Sequence, residues 1–310
     1  MSRSLRGRHL LSIRDLSAQE VRQVLDLAHH LKREHRAGIR HELLAGKAVA
    51  LLFEKPSLRT RVTFEVGVRQ LGGFSLYLAP QDVQLGVREA VPDVARNLSR
   101  WVDGIVARVN RHATLEELAQ AAGVPVINAL SDQEHPCQAL GDLLTVEERF
   151  GRFAGVRAAW VGDGNNVCHS FLLAAARVGL SVTVATPSGY APDPAVVADA
   201  QAQGRRWGAE VRVVTDPKAA VEGAHVVYTD VWTSMGQEAE RDTRLRAFQG
   251  FQVNQELLRA ADPDAVVLHC LPAHRGEEIT DEVLDGPQSL VLDQAENRLH
   301  AQKAVLSLVL

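Results

Sequence analysis

Short apolar runs alternate with helical patterns along most of the chain. The runs that predict buried strands in its first part are 48–53, 74–78, 104–109 and 124–128. Apolar residues recur at helical spacing near 59–71, 90–101 and 113–122. A further helix is predicted after the capping box of Ser17 and Glu20. Alternation of this kind is typical of a mostly parallel sheet with helices on both faces.

A second series of the same kind begins after a predicted helix near 135–149. Its strands are expected at 158–161, 181–185, 211–214, 226–228 and 266–269, with helices near 167–178, 193–204 and 254–261. The pattern predicts an α/β protein with two doubly wound, mostly parallel-sheet domains joined by interdomain helices. We place the domains at 1–134 and 135–294, and expect a last helix, 295–310, to pack back on the first. A length of 310 residues agrees with two domains.

Composition excludes several classes of partner. Charged residues make up 23% of the chain and the net charge is -4, which favours neither a nucleic-acid nor a membrane partner. No run of about 18 apolar residues predicts a membrane span. The basic start lacks the apolar core of a secretory signal, although a transit peptide stays open as an alternative. The three cysteines, Cys137, Cys168 and Cys270, fit neither a disulfide framework nor a zinc pattern, and this favours a cytoplasmic location.

Polar residues at the start of a helix follow the first predicted strand. Ser57 is suited to cap this helix, and Arg59 and Arg61 then stand in its first turn. Cations are unfavourable there, because the helix start already carries partial positive charge. Arginines, hydroxyls and open backbone N–H groups together indicate an anion site. The alternative is an ordinary cap with two solvated arginines.

Two further residues have side chains that could take part in binding or catalysis. Arg108 ends a strand, and His135 precedes Pro136, which suits the first position of a helix. We therefore expect a lowered pKa and a neutral imidazole at His135. Taken by itself, this histidine also fits a surface or packing role.

The loop from Gly162 to Asn166 looks at first like a dinucleotide-binding turn. Val167 stands where that motif needs its third glycine, and no acidic residue marks the end of the next strand. A nucleotide-dependent oxidoreductase is therefore disfavoured.

Five separate motifs resemble those of the aspartate/ornithine carbamoyltransferase family, in the family's order and from about residue 8 to 305. They are Ser57-Leu58-Arg59-Thr60-Arg61, His135-Pro136-Cys137-Gln138, Asp230 to Gly236 with its Ser234-Met235-Gly236, His269-Cys270-Leu271-Pro272, and Glu296-Asn297-Arg298. Leu58 departs from the usual Ser-Thr-Arg-Thr-Arg form, which leaves only its backbone N–H for a contact.

The resemblance implies two sets of binding residues. Those for carbamoyl phosphate are Ser57, Leu58, Arg59, Thr60, Gln84, Arg108, His135, Gln138, Cys270, Leu271 and Arg298. Those for ornithine are Asn166, Asp230, Ser234 and Met235. The catalytic residues would be Arg59, Arg108, His135, Asp230 and Cys270. In the family, the loop that holds Gln84 reaches into a neighbouring subunit, which implies a homo-oligomer built from trimers.

The implied reaction is transfer of the carbamoyl group of carbamoyl phosphate to the δ-amine of L-ornithine, a step of arginine biosynthesis or of a urea-cycle type. We expect no metal and no cofactor, because carbamoyl phosphate is already a reactive mixed anhydride. A sister transferase acting on putrescine, N-acetylornithine or aspartate is the nearest alternative, and Asp230 to Gly236 argues for free ornithine. A non-catalytic binding subunit is disfavoured because both halves of the site are present.

Overall fold

A computed structural model describes residues 5–310, so the first four residues of the basic start lie outside it. The chain divides into two compact units. One unit runs to Leu144 and also includes Asn297–Leu310, and the other is Thr145–Glu296. The division falls inside the helix Pro136–Phe150, whereas the sequence pattern placed it just before this helix.

The first unit is built on a sheet of four parallel strands. These are β1 (Ala48–Phe53), β2 (Phe74–Leu78), β3 (Gly104–Arg108) and β4 (Val126–Leu130). Their order in the sheet is β2-β1-β3-β4, and Phe53 at the end of β1 pairs with Arg108 at the end of β3. The strand order reverses between β1 and β3, and ligands of open α/β sheets bind beyond the strand ends at such a point. The predicted strands are confirmed, with β4 displaced two residues toward the C-terminus.

The helices of this unit surround the sheet. After a short turn at Ile13–Asp15 they are α1 (Ala18–Arg36), α2 (Leu58–Gln70), α3 (Pro80–Val83), α4 (Val91–Leu98), α5 (His112–Ala121) and the start of α6 (Pro136–Phe150). The predicted capping box of α1 is present, since Ser17 accepts from the Glu20 N–H and Glu20 accepts from the Ser17 N–H. Apolar side chains of α4 and α5 pack on the buried faces of β1 and β3 and form the core.

The second unit holds five parallel strands. They are β5 (Arg157–Val161), β6 (Ser181–Ala185), β7 (Val211–Val214), β8 (Val226–Thr229) and β9 (Val266–His269), in the order β7-β6-β5-β8-β9. The helices are α7 (Asn166–Val178), α8 (Pro194–Trp207), α9 (Pro217–Val221), α10 (Arg241–Ala247), α11 (Gln255–Leu258) and α12 (Asp281–Leu284), with a short turn at Glu238–Glu240. The order reverses between β5 and β8, which places the loops after these two strands at the binding position of this fold.

The last helix, α13, spans Val291–Val309, so its predicted start at 295 is wrong by four residues. Asp293 in the first turn suits the positive end of the helix, and the Gln294 N–H donates to the Leu290 carbonyl at 2.8 Å. Near the end of the helix, the Val309 carbonyl accepts from the Gly7 N–H at 2.8 Å. Within residues 5–310, no helix has the length and apolarity that crossing a membrane requires.

Candidate active site

The two arginines in the first turn of α2 lie in different surroundings. Ser57 caps α2 as predicted, and its Oγ accepts from the Thr60 N–H at 3.2 Å. Arg61 is turned along the helix, where its Nε lies 3.1 Å from a Glu65 carboxylate oxygen and its guanidinium lies 3.7 Å from the centre of the Tyr77 ring. Arg59 is partly buried at the helix start. The two arginines therefore have different environments, although the sequence pattern treats them alike.

Arg298 is brought to the same helix start by α13. Its Nη2 donates to Thr60 Oγ1 at 2.6 Å, and both residues are buried. A Cβ atom at Gly141 would lie 3.3 Å from the Arg298 backbone, which is tighter than an ordinary contact. A glycine at this position of α6 thus lets α13 approach closely enough for Arg298 to reach Thr60.

His135 lies buried among cations in the first unit. Its pKa is held well below the usual value, first by desolvation and then by the positive charges of Arg298, Arg108, Lys55 and Arg59. The sequence predicted this direction from the helix start, and burial is the larger cause. The imidazole is therefore neutral at pH 7 and can donate one hydrogen bond. We refer to His135 and these four cations as the cationic cluster.

Lys55 is a member of the cationic cluster that the sequence analysis did not identify. Its pKa is lowered, mainly by burial and secondarily by the charge of Arg108. The available signal was its place two residues after β1, beside the cap of α2.

Gln138 lies on α6, one turn after His135. Its Nε2 donates to Asp142 Oδ1 at 2.7 Å, and both side chains are buried. Asp142 was also missed, although its spacing of four residues from Gln138 places the two on one face of the helix.

Two other predicted residues of this unit are exposed. Gln84 ends α3 with φ 46° and ψ 55° and is exposed on its loop. The Leu58 side chain is 75% exposed, so its side chain makes no buried contact.

In the second unit, Asn165 caps α7 and binds a carboxylate. Its Oδ1 accepts from the Val167 and Cys168 N–H groups at 3.0 and 3.1 Å, and its Nδ2 donates to Asp230 Oδ2 at 2.8 Å. Asn166, the residue expected from the sequence to bind ornithine, is the first helical residue and is partly buried. Asparagine is among the preferred N-cap residues, and this signal would have identified Asn165.

Asp230 and Cys270 meet, as the strand order requires. Asp230 follows β8 and Cys270 follows β9, and the Cys270 thiol donates to Asp230 Oδ1 at 3.0 Å. The next residue, Leu271, is partly buried with φ 57° and precedes a cis proline. The carboxylate of Asp230 thus accepts one hydrogen bond on each oxygen.

A buried pair lies beside Cys270. His269 Nδ1 accepts from the Leu271 N–H at 2.8 Å, so the ring proton is on Nε2, which lies 2.9 Å from Glu278 Oε1. This pair ties the loop after β9 to the segment before α12.

The loop from Asp230 to Gly236 is anchored by an ion pair. Arg244 Nη1 donates to Asp163 Oδ2 and to the Trp232 carbonyl, both at 3.0 Å. Burial raises the pKa of Asp163 to about 6, and the charge of Arg244 opposes the rise. Ser234 is partly buried and its N–H donates to the Gln237 side chain, while Met235 is 55% exposed.

Gly164 is explained by packing alone. A Cβ atom there would lie 2.2 Å from the Pro192 backbone nitrogen. The glycine is required by the neighbouring chain, so it gives no support to the dinucleotide alternative.

Two groups of side chains in the described residues could hold a metal ion. The ligand atoms of Asp230, His269 and Cys270 lie within 4.8 Å of one another, as do those of His274, Glu277 and Glu278. In the first group, the thiol faces Asp230 and the imidazole bonds to Leu271 and Glu278.

Comparisons with known proteins cover almost the whole chain. The family model for the carbamoyl-P binding domain of aspartate/ornithine carbamoyltransferase matches residues 8–148, and the model for the Asp/Orn binding domain matches 154–309. An ornithine carbamoyltransferase from Symbiobacterium thermophilum is 55% identical over 307 residues, 99% of each chain. An anabolic ornithine carbamoyltransferase from Pyrococcus furiosus is 53% identical over 99% of this chain and 98% of its own.

The agreement extends to solved structures. Ornithine carbamoyltransferase from Pyrococcus furiosus superposes with a TM-score of 0.97 at 52% identity, over 99% of this chain and 98% of that one. The predicted fold class and family are thereby confirmed. The chain belongs to the aspartate/ornithine carbamoyltransferase family.

Proposed function

We propose that the protein transfers the carbamoyl group of carbamoyl phosphate to the δ-amine of L-ornithine, giving L-citrulline and phosphate. The observation that carries this proposal is the cationic cluster around a buried, neutral His135. A dianion compensates the repulsion among four cations, and a neutral imidazole can donate to a carbonyl oxygen. Relatives at 53–55% identity over almost the full chain carry the name ornithine carbamoyltransferase, which supports ornithine as the acceptor.

The first unit supplies the groups that bind the donor. The proposed phosphate ligands are the Ser57 hydroxyl, the Leu58 backbone N–H, Arg59, Thr60 and Arg298, which the cap of α2 and the bond from Arg298 to Thr60 support. The exposure of the Leu58 side chain fits a contact through the backbone alone. The carbamoyl-P binding domain of the family matches this part of the chain.

The carbonyl end of the donor is assigned to other residues of the same unit. Arg108, His135 and Thr60 stabilise the negative charge that develops on the carbonyl oxygen, and Gln138 binds the carbamoyl NH₂. Donors fixed in advance toward such an oxygen are worth about 10²–10³ in rate each. Cys270 and Leu271 are also proposed contacts of carbamoyl phosphate.

The second unit supplies the groups for the acceptor. Asn166, Ser234 and Met235 are proposed to bind the amino-acid part of ornithine, and Asp230 the δ-ammonium group. The δ-amine has an ordinary pKa near 10.4, so it must lose a proton before it can attack. This first proton goes to solvent, and the carboxylate of Asp230, held by Asn165 and Cys270, accepts the proton that the neutral amine releases as it attacks.

The chemistry balances without a redox partner. The nitrogen of the neutral amine forms a bond to the carbamoyl carbon, and the bond from that carbon to the phosphate oxygen breaks. The attacking nitrogen gives up one proton, to Asp230 or to the departing phosphate.

A homo-oligomer built from trimers is part of the proposal, with Gln84 serving a neighbouring subunit. It is supported by an exposed apolar surface on α2 and on the edge strand β2, formed by Leu58, Val62, Val66, Phe74 and Leu76. A surface of this kind is typical of an interaction site. An anabolic role in arginine biosynthesis fits the anabolic relative, and three cysteines that form no disulfide within residues 5–310 fit a cytoplasmic location.

One assay tests the acceptor. Carbamoyl phosphate is offered with L-ornithine, putrescine, N-acetylornithine or L-aspartate, and the ureido product is measured. We expect product with L-ornithine only. Product with another acceptor and none with L-ornithine would replace the proposal by the sister activity.

A matched pair of variants tests the donor half. Arg59→Ala should raise the KM for carbamoyl phosphate strongly, because it removes a charged phosphate ligand. Arg61→Ala, two residues further along the same turn, should leave this KM near the wild-type value, since Arg61 is engaged by Glu65 and Tyr77. Equal effects of the two substitutions would reject the assignment of Arg59.

A further inference from the structure

The amide of Gln138 is held from one side by a carboxylate. Gln138 and Asp142 lie four residues apart on one face of α6, both buried, with Nε2 and Oδ1 2.7 Å apart. A carboxylate only accepts hydrogen bonds. The NH₂ of Gln138 must therefore face Asp142, and the amide oxygen must face the other way.

That oxygen lacks a donor. Gln138 Oε1 is buried and has no hydrogen-bond partner among residues 5–310. An unsatisfied buried acceptor destabilises a folded protein, so a pair that serves only to hold the helix would not leave one. The open acceptor is explained when a ligand brings an N–H group to it.

The position of the oxygen indicates which ligand. The Gln138 N–H donates to the His135 carbonyl at 3.1 Å, so the amide stands one helical turn from the imidazole of the cationic cluster. An anion bound by these cations comes close to Gln138, and a carbamoyl group carries an NH₂ at its far end.

We propose that Asp142 is a positioning residue that fixes the Gln138 amide with Oε1 toward the donor substrate and so selects a carbamoyl group over an acetyl group. This rests on the proposed function. The two groups have nearly the same shape, since acetyl carries CH₃ where carbamoyl carries NH₂. Only the NH₂ can donate to Oε1, and a bound acetyl group leaves this acceptor unpaired. A site built to hydrogen-bond one group rejects an analogue that lacks it.

Two stable ligands isolate the effect. Phosphonoacetamide and acetonylphosphonate differ only by NH₂ in place of CH₃, and their dissociation constants are measured by calorimetry on the full-length protein without ornithine. The preference is the ratio of the two constants. We expect wild-type protein to prefer the amide by about tenfold or more. Asp142→Leu, which keeps a branched side chain but is larger and removes both oxygens, should lower this preference about tenfold, because the carboxylate no longer holds the Gln138 amide in one orientation.

Asp142→Asn is the conservative partner of this variant. Asparagine keeps the size of the side chain but can present either NH₂ or oxygen to Gln138, so both orientations of the amide become available. We expect a smaller decrease of the preference than with leucine. This variant also carries the test if Asp142→Leu does not fold, as judged by its thermal midpoint.

Gln138→Leu completes the cycle. It should abolish the preference, and Asp142→Leu added to it should change the preference no further, because the effect of Asp142 passes through the amide. Equal weakening of both ligands by Asp142→Leu would show a merely structural role, and an unchanged preference in the Asp142 variants would also overturn the proposal. Failure to form citrulline would reject the proposed function and leave this binding comparison standing.

Discussion

The two units use the same local architecture with opposite charge. In each, a parallel strand runs into a helix whose first turn is capped by a side chain, Ser57 in the first unit and Asn165 in the second. Around the first cap stand four cations and a histidine held neutral. Beside the second stand two carboxylates, Asp163 and Asp230, and the pKa of Asp163 is raised to about 6. The fold thus places binding side chains at the strand ends. The charge of a few of these side chains determines whether an anion or an ammonium group is favoured there.

The largest expected effect concerns the acidic side of this comparison. Asp230→Asn keeps the size of the side chain but removes its charge and its capacity to take a proton. We expect kcat/KM for ornithine to fall about 10²–10⁴-fold, the usual contribution of a general base. Binding of phosphonoacetamide should change little, since its phosphonate is assigned to the first unit and Asp230 is not among its proposed contacts. A decrease of less than about tenfold would assign deprotonation of the amine to another group, such as the departing phosphate.

The next effect concerns the cationic side. His135→Ala removes one hydrogen-bond donor for the carbonyl oxygen and should lower kcat about 10²–10³-fold. Steady-state kinetics with both substrates measures it. The KM for ornithine should change little, and a selective increase of that KM would contradict the division of labour between the units.

A pH series separates the two sides in the unmodified protein. Because the pKa of His135 is held well below 6.5, the histidine stays neutral as pH rises from 6 to 9 and contributes no change over that window. The ornithine amine loses its proton with rising pH, so kcat/KM for ornithine should climb about tenfold per unit toward the amine pKa near 10.4. The NMR signals of the His135 ring, followed over the same pH range, distinguish a contribution of the histidine from that of the amine. Titration of His135 between pH 6 and 9 would refute its neutral state.

The smallest effect is expected at Cys270. Cys270→Ala removes the hydrogen bond to Asp230 Oδ1 while Asn165 still holds the other oxygen, so kcat should decrease by about tenfold at most. The measurement is kcat across pH 6–9. An unchanged kcat with an unchanged pH profile would exclude Cys270 from the chemistry.

The elements of this fold follow closely from the sequence because the strands are short, apolar and regularly spaced. All nine predicted strands are present in the described residues, and the errors are displaced ends, as at β4 and at the start of α13. An end depends on a few local hydrogen bonds, whereas a strand depends on a run of apolar residues that must be buried.

The site was harder to predict, because its members are joined by contacts across the fold. Ser57 could be recognised as a cap from its neighbours, but the difference between Arg59 and Arg61 depends on Tyr77, which arrives from the next strand. The bond between Arg244 and Asp163 spans 81 positions of the chain and leaves no local pattern. The family resemblance indicated many site residues. The side chains that hold them in place, such as Asp142, were identified only from the structure.

The late position of Arg298 in the chain has a consequence for synthesis on the ribosome. The first unit includes Asn297–Leu310, and these residues leave the ribosome only after the entire second unit, Thr145–Glu296, has been translated. Until then the buried Thr60 lacks the guanidinium that bonds to it, and Lys32 lacks the Asn297 side chain that accepts from its Nζ at 2.7 Å. The second unit can fold while it emerges, but the first must wait in an incomplete state. A released chain truncated after Glu296 should therefore show a protease-resistant second unit, while protease still cuts the first.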